Sequence, residues 1–226
     1  MTEWWTYRPS DFLLFSPRTY YRLFELYNAA VWPAPLLTLG LGLALWIALW
    51  QGRGWAPRTA WALLAAAWLW VAWGFHWHWF ATINWAATWF AVAFAAEGAL
   101  WGLLALRGGT RHAATMAPSR TRAVGLGLLL FALVVQPALG PAFGRPWSQV
   151  EIFGLAPDPT ALGSLGVLLI VRTQRAWLLW PVPLLWCANA GMTLATMHAA
   201  DAWLPLAAAA VALLAALFGR RDGDLR

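Results

Sequence analysis

Apolar residues along this chain do not alternate, nor do they recur at the spacing of one helix face. They come in unbroken runs, at roughly 34–50, 59–80, 83–106, 123–140, 160–171, 175–197 and 201–218. A helix needs about twenty such residues to cross a bilayer, so most of these runs predict membrane-spanning helices. The run 160–171 is short: at about 1.5 Å per residue it reaches roughly 18 Å against a hydrocarbon core of about 30 Å.

One segment keeps a helical period. In "SPRTYYRLFELYN", Ser16 is placed to cap a helix opened by Pro17. Arg18, Arg22 and Glu25 then share one face, and Tyr20, Leu23, Phe24 and Tyr27 the other. This predicts a short amphipathic helix lying flat in the membrane interface. The stretch 140–166, "GPAFGRPWSQVEIFGLAPDPTALGSLG", is the opposite case, since prolines 141, 146, 157 and 159 forbid one continuous helix. Irregular backbone at membrane depth survives only where protein or water shields it. The loop is therefore read either as dipping into the bilayer above the short helix or as a surface loop over a tilted one.

Arginine placement fixes the parity. With seven crossings and an outside N-terminus, eleven arginines fall inside and four, Arg8, Arg18, Arg22 and Arg145, outside. Were 160–171 to turn back instead, the split would be six inside and nine outside. The positive-inside bias favours seven crossings. The fold class expected is all-α, a polytopic bundle of about seven crossings, N-out and C-in. Its parts are an interfacial segment 1–33, a bundle 34–218 and a cytoplasmic tail 219–226.

Composition agrees. The chain is 62% hydrophobic and 11% charged, with mean hydropathy +0.59, where a soluble domain carries roughly 25% charged residues. All fifteen cations are arginine, and twenty residues are tryptophan, which favours the headgroup level. The formal charge of +6 lies between apolar runs and is explained by topology, so no nucleic-acid partner is expected. Membrane lipids are, and a homo-oligomer or membrane-complex partners remain open. The single cysteine, Cys187, excludes an internal disulfide and reads as a packing residue. The first ten residues, "MTEWWTYRPS", lack a basic start and apolar core, so no cleavable signal is expected.

The topology gathers chemistry at one side. His76 and His78 end the second crossing, His198 ends the sixth, Glu151 and Asp158 occupy the loop before the short helix, and Asp201 opens the last crossing. All six fall on the outer face, whereas His112 sits among inner arginines. Three imidazoles with carboxylates suit zinc or copper. However, residues two apart on a helix point about 200° away from each other, so His76 and His78 share a site only if the helix unwinds. Glu97 is the one carboxylate deep inside an apolar run, where ionisable groups usually face an interior cavity. Gln136 and Asn189 lie at similar depth as its candidate partners. Glu97, Gln136, Glu151, Asp158 and Asn189 are the candidate ligand-binding set, and His76, His78 and His198 the candidate metal set. No phosphate loop, Ser/His/Asp triad or nucleotide motif occurs.

At "WWTYRPSDFLLFSPRTYYRLFELYNAAVWP", "HWHWFATINWA" and "VEIFGLAPDPT" the chain resembles a bacterial family of Trp-rich polytopic membrane proteins, a domain of unknown function. The resemblance runs over nearly the whole chain and implies a bacterial inner-membrane protein; it implies no activity. Three readings follow. The first is a small carrier or membrane binding protein with an outward-facing polar pocket for a small molecule or ion. The second is an accessory subunit of a respiratory or photosynthetic complex, and the third a His/carboxylate metal-dependent membrane enzyme.

Overall fold

The structure is a computed structural model and describes residues 14–107, 115–117, 119–173 and 176–224. The readings made on residues 1–13 and on His112 lie outside that range. Among the described residues the regular structure is helical, apart from a two-residue antiparallel ladder pairing β1 (Thr115–Met116) with β2 (Val171–Arg172).

Helix α1 (Pro17–Ala30) begins as its sequence predicts: Ser16 Oγ accepts from the Thr19 N–H at 3.2 Å, and proline occupies the first turn. It buries Tyr20, Leu23, Phe24 and Tyr27, the face read from the sequence. That face meets protein: Phe24 stacks on Phe75 at 5.1 Å, and Tyr27 lies edge-on to Phe75 and Trp79. The helix is a strap across one end of the bundle, bent by 87° from α2 (Ala34–Trp50).

The remaining helices are α3 (Ala56–Trp70, prolonged by a wider π-turn segment Val71–Trp77), α4 (Ala87–Arg107), α5 (Ser119–Leu130), α6 (Gln136–Ala142), α7 (Pro157–Ile170), α8 (Pro181–Thr196) and α9 (Leu204–Asp224). Helices α5 and α6 form one rod through a π-turn segment, Phe131–Val135. Pro137 and Pro141 each lack the N–H that would bond four residues back, and wider winding relieves the ring's clash there. The terminal helix extends past the boundary at 218 set from the sequence.

Side chains tie neighbouring ends together and show that the rods alternate in direction. Arg58 donates from Nε to Ala105 O at 2.9 Å, setting the start of α3 beside the end of α4. Arg122 donates from Nη2 to Leu49 O and Trp50 O, setting the start of α5 beside the end of α2. Arg172 donates to Gly219 O at 3.1 Å, so α7 and α9 finish at that same end. We call it the arginine end. At the opposite end α1, the π-turn segment of α3 and the 143–156 loop come together.

Three rods are long and apolar enough to cross a membrane: Ala87–Arg107, Ser119–Ala142 and Ala176–Thr196. The exposed surface of the bundle as a whole is compatible with a bilayer. Trp32, Trp77, Trp85, Trp147 and Trp203 are exposed at one end, Trp50, Trp55 and Trp177 at the other, and Leu41, Leu185, Leu213 and Leu214 between. Exposed tryptophan at both ends with aliphatic residues between is the pattern of an aromatic belt on either interface.

The short run resolves into α7, and every residue from 152 to 171 is buried. Helix α7 touches α3, α5, α8 and α9. It needs no lipid-spanning length because it has no lipid-facing side. Its approach to α5 is close: a Cβ on Gly125 would stand 2.6 Å from Gly166 O. Glycine at both positions lets two backbones meet where any side chain would force them apart.

Candidate functional site

Past Ala142 the chain leaves helical geometry. Gly144 sits at φ +84°, a left-handed conformation that favours glycine, and turns the backbone towards Arg145. A short 3-10 turn, Trp147–Gln149, follows. Helix α1 holds it down: the Asn28 amide donates to Ser148 O at 3.0 Å and Val150 O at 2.8 Å, and Gln149 donates to Glu25 at 3.2 Å. Glu25 also pairs with Arg22, and these two contacts hold its carboxyl below the usual carboxylate range, that of Gln149 foremost. Tyr27 donates its hydroxyl to Leu155 O at 3.1 Å and accepts from the Trp70 indole at 2.8 Å.

Gly154, at φ +82°, then turns the chain into α7, its N–H donating to Thr160 Oγ1 at 2.9 Å. Thr160 donates onward to Ala156 O, Ser164 donates to Thr160 O, and the Trp68 indole donates to Ser164 at 2.8 Å. The buried polar groups of α7 are thus satisfied at its start and one turn along, which fixes the position of Asp158.

Around that point lies a partly open cavity of about 30 Å³, walled by Gln136, Arg145, Glu151, Asp158 and Asp201 with apolar residues of the Phe131–Val135 segment, α6, α7, α8 and α9. It has room for one or two water-sized groups. Arg145 donates to Asp201 Oδ2 at 2.6 Å, and its guanidinium lies 4.6 Å from the centre of the Tyr21 ring. Asp158, 3% exposed, accepts from the Trp186 indole at 2.7 Å. It also stands in the first turn of α7, where the helix dipole favours negative charge. Glu151 Oε2 and Gln136 Oε1 are buried with no hydrogen-bond partner. Three carboxylates therefore face one guanidinium. Burial, and then the neighbouring Asp158 charge, push the Glu151 carboxyl well above the usual carboxylate range. Burial and then Glu151 push the Tyr20 phenol up as well.

Of the residues singled out from the sequence, the structure brings Gln136, Glu151, Asp158 and Asp201 together. It does not join Glu97 to them. Glu97 is fully buried in mid-α4, and its polar neighbour is the buried indole N–H of Trp101, one turn on. The expected clamp from Glu97 to Gln136 or Asn189 is not made: Gln136 turns to the cavity, and Asn189 is half-buried on α8 away from its lining.

The histidines separate too. His76 is fully buried, boxed by Phe94 at 4.4 Å and Trp186 at 5.0 Å, with Phe75, Phe80 and Phe90 behind, and neither ring nitrogen has a partner. His78 is exposed, 2.8 Å from Trp73 O through Nδ1. His198 is exposed at φ +56°, just past the end of α8. Among the described residues no three His, Cys, Asp or Glu stand close enough to hold a metal ion, so the zinc or copper reading finds no ligand set. Cys187 is buried, as its sequence context suggests.

Sequence reasoning missed Arg145, counting it only as an outer charge, and missed Trp186 and Tyr21. The available signal was that Arg145 is the one cation in a loop carrying Glu151 and Asp158. A second hollow, of about 330 Å³, lies between α2, α3 and Phe153–Leu155. It carries no free polar chemistry, because Thr38 donates to its own helix and Trp70 to Tyr27.

Residues 18–224 match a family of unknown function (DUF6064), and the chain belongs to that family. No curated protein and no solved structure matches it.

Proposed function

We propose that the protein is a multi-pass protein of the bacterial inner membrane, crossing seven times with its N-terminus outside, and that it is a small carrier or membrane-embedded binding protein. Its business end is the cavity beneath α1. The observation that carries this reading is the gathering of Glu151, Asp158, Asp201 and Gln136 around a space they do not fill, with one arginine among them. Polar groups so placed are expensive to keep in a membrane protein, and function is the common reason for keeping them. The alternating rods and the arginine-capped ends support the seven-pass arrangement. The cavity's size favours an ion or a very small solute over a metabolite.

Two measurements test the reading. In a Cys187→Ala background, single cysteines at Ser148 and Arg53 are labelled with a membrane-impermeant maleimide on intact spheroplasts. Ser148→Cys should react from outside and Arg53→Cys only after lysis; the reverse overturns the orientation. For activity, proteoliposomes loaded with a pH-sensitive dye are given imposed gradients of ammonium, potassium or sodium chloride. Flux above empty vesicles that falls at least tenfold in Asp158→Asn supports a carrier, and none with any salt removes it.

A further inference from the structure

The occupant of the cavity can be named by class, an inference that rests on the binding-site reading above. The two buried atoms facing it without a partner, Glu151 Oε2 and Gln136 Oε1, are both acceptors. The donations made beside the cavity go elsewhere, from Arg145 Nη2 to Asp201 and from the Trp186 indole to Asp158, and none reaches these two atoms. The space is therefore short of donors. It is also short of positive charge, with Glu151, Asp158 and Asp201 facing Arg145 alone from the loop, α7 and the approach to α9, and only the phenols of Tyr20 and Tyr21 from α1. Buried charge left uncompensated is costly in a weakly polarisable interior.

Each constraint removes a class of ligand. An anion is refused by sign, and an organic solute by a volume of about 30 Å³. A directly coordinated metal ion is refused by spacing, since no three acidic or imidazole groups among the described residues close on one point. We propose that the cavity binds one small monovalent cation that donates hydrogen bonds, ammonium or hydronium, held by Glu151, Asp158 and the Gln136 carbonyl. Such an ion supplies both the missing donors and the missing charge.

The test uses the full chain in detergent. Its thermal midpoint is followed while ammonium chloride or sodium chloride replaces choline chloride at fixed ionic strength and pH. Proton uptake is measured by titration in parallel. Ammonium binding gives a saturating rise of at least about 2 °C that sodium does not give and Glu151→Gln abolishes. Hydronium binding gives no salt-specific rise, but uptake of one proton per chain that Glu151→Gln removes and Gln136→Leu shifts; uptake that Gln136→Leu leaves untouched is protonation of the Glu151 carboxyl itself and overturns the proposal. Equal stabilisation by sodium, or an ammonium or proton response unchanged in Glu151→Gln, overturns the proposal, as does the absence of both responses. Should Glu151→Gln not fold, Gln136→Leu leaves every carboxylate in place and should weaken ammonium stabilisation at least threefold or shift the midpoint of proton uptake; no change in either overturns the proposal. Binding without flux in vesicles leaves this inference standing and removes the carrier, whereas flux without binding removes this inference alone.

Discussion

The two ends of the bundle handle charge differently. At the arginine end, Arg58, Arg122 and Arg172 each donate to backbone carbonyls at or near the ends of α4, α2 and α9. The carbonyls of Ala105, Leu49 and Trp50 lie in the last turns of their helices, at the negative end of the helix dipole, so each cation answers a local need and charge balance is not at issue. At the cavity end, charge meets charge across elements distant in sequence, and the sum does not close: three carboxylates share one guanidinium. One end is built to hold helices in register. The other is built with an unmet requirement, and that is where we place the proposed binding site.

The same truncation made at each end should break the comparison most sharply. Arg145→Ala leaves Asp201, Glu151 and Asp158 without a cation, and removing one partner of a buried pair typically costs about 3–5 kcal/mol. Since Arg145 and Asp201 keep a little exposure, we expect about 3 kcal/mol, read as a lowered unfolding midpoint in detergent. Pairing it with Asp201→Ala should recover part of that loss; full additivity would mean the two do not act together. Next comes Trp186→Phe, which keeps the ring against His76 but removes the donor to Asp158, for about 1.5–2 kcal/mol by the same assay.

Glu151→Gln sharpens the comparison through pH. Burial holds the folded Glu151 carboxyl above its ordinary value, so its contribution to stability is complete below the ordinary glutamate range. It is lost as pH rises towards the folded value and levels off beyond. Parallel unfolding curves across acidic to neutral pH should diverge by about 1 kcal/mol or more, the variant losing less than the parent. Curves that stay parallel would show Glu151 to be ordinarily solvated. The smallest effect belongs to the arginine end: Arg122→Ala removes two hydrogen bonds to the end of α2 and should cost about 1 kcal/mol, with no change in response to ammonium.

Much of this was legible in the sequence because it depends on composition over long windows. The run at 34–50 becomes α2 to the residue, and Ser16 with Pro17 marks the start of α1. The meeting of Glu151, Asp158 and Asp201 agrees with the arginine count, which places their loops on one face and leaves their packing open. What the sequence hid depends on neighbours. That α1 lies on protein is decided by Phe75, Phe80 and Trp79, which arrive from another helix. The burial of His76 depends on Phe94 and Trp186 from two more. Depth alone pairs Glu97 with Gln136, but depth says nothing of rotation about a helix axis, and Gln136 lines the cavity where Glu97 does not. The π-turn segment Val71–Trp77, which presents His76 inward, contains no proline and has no counterpart rule in sequence.

The complete burial of 152–171 bears on how the chain is made. Synthesis proceeds from the N-terminus, so this segment emerges before α8 and α9, which supply part of its only surroundings. With Asp158 near its start and too few residues to reach both leaflets, it has no independent resting place in lipid. A released chain truncated after Arg172 should therefore leave 152–171 open to protease, and extension through α9 should draw it in.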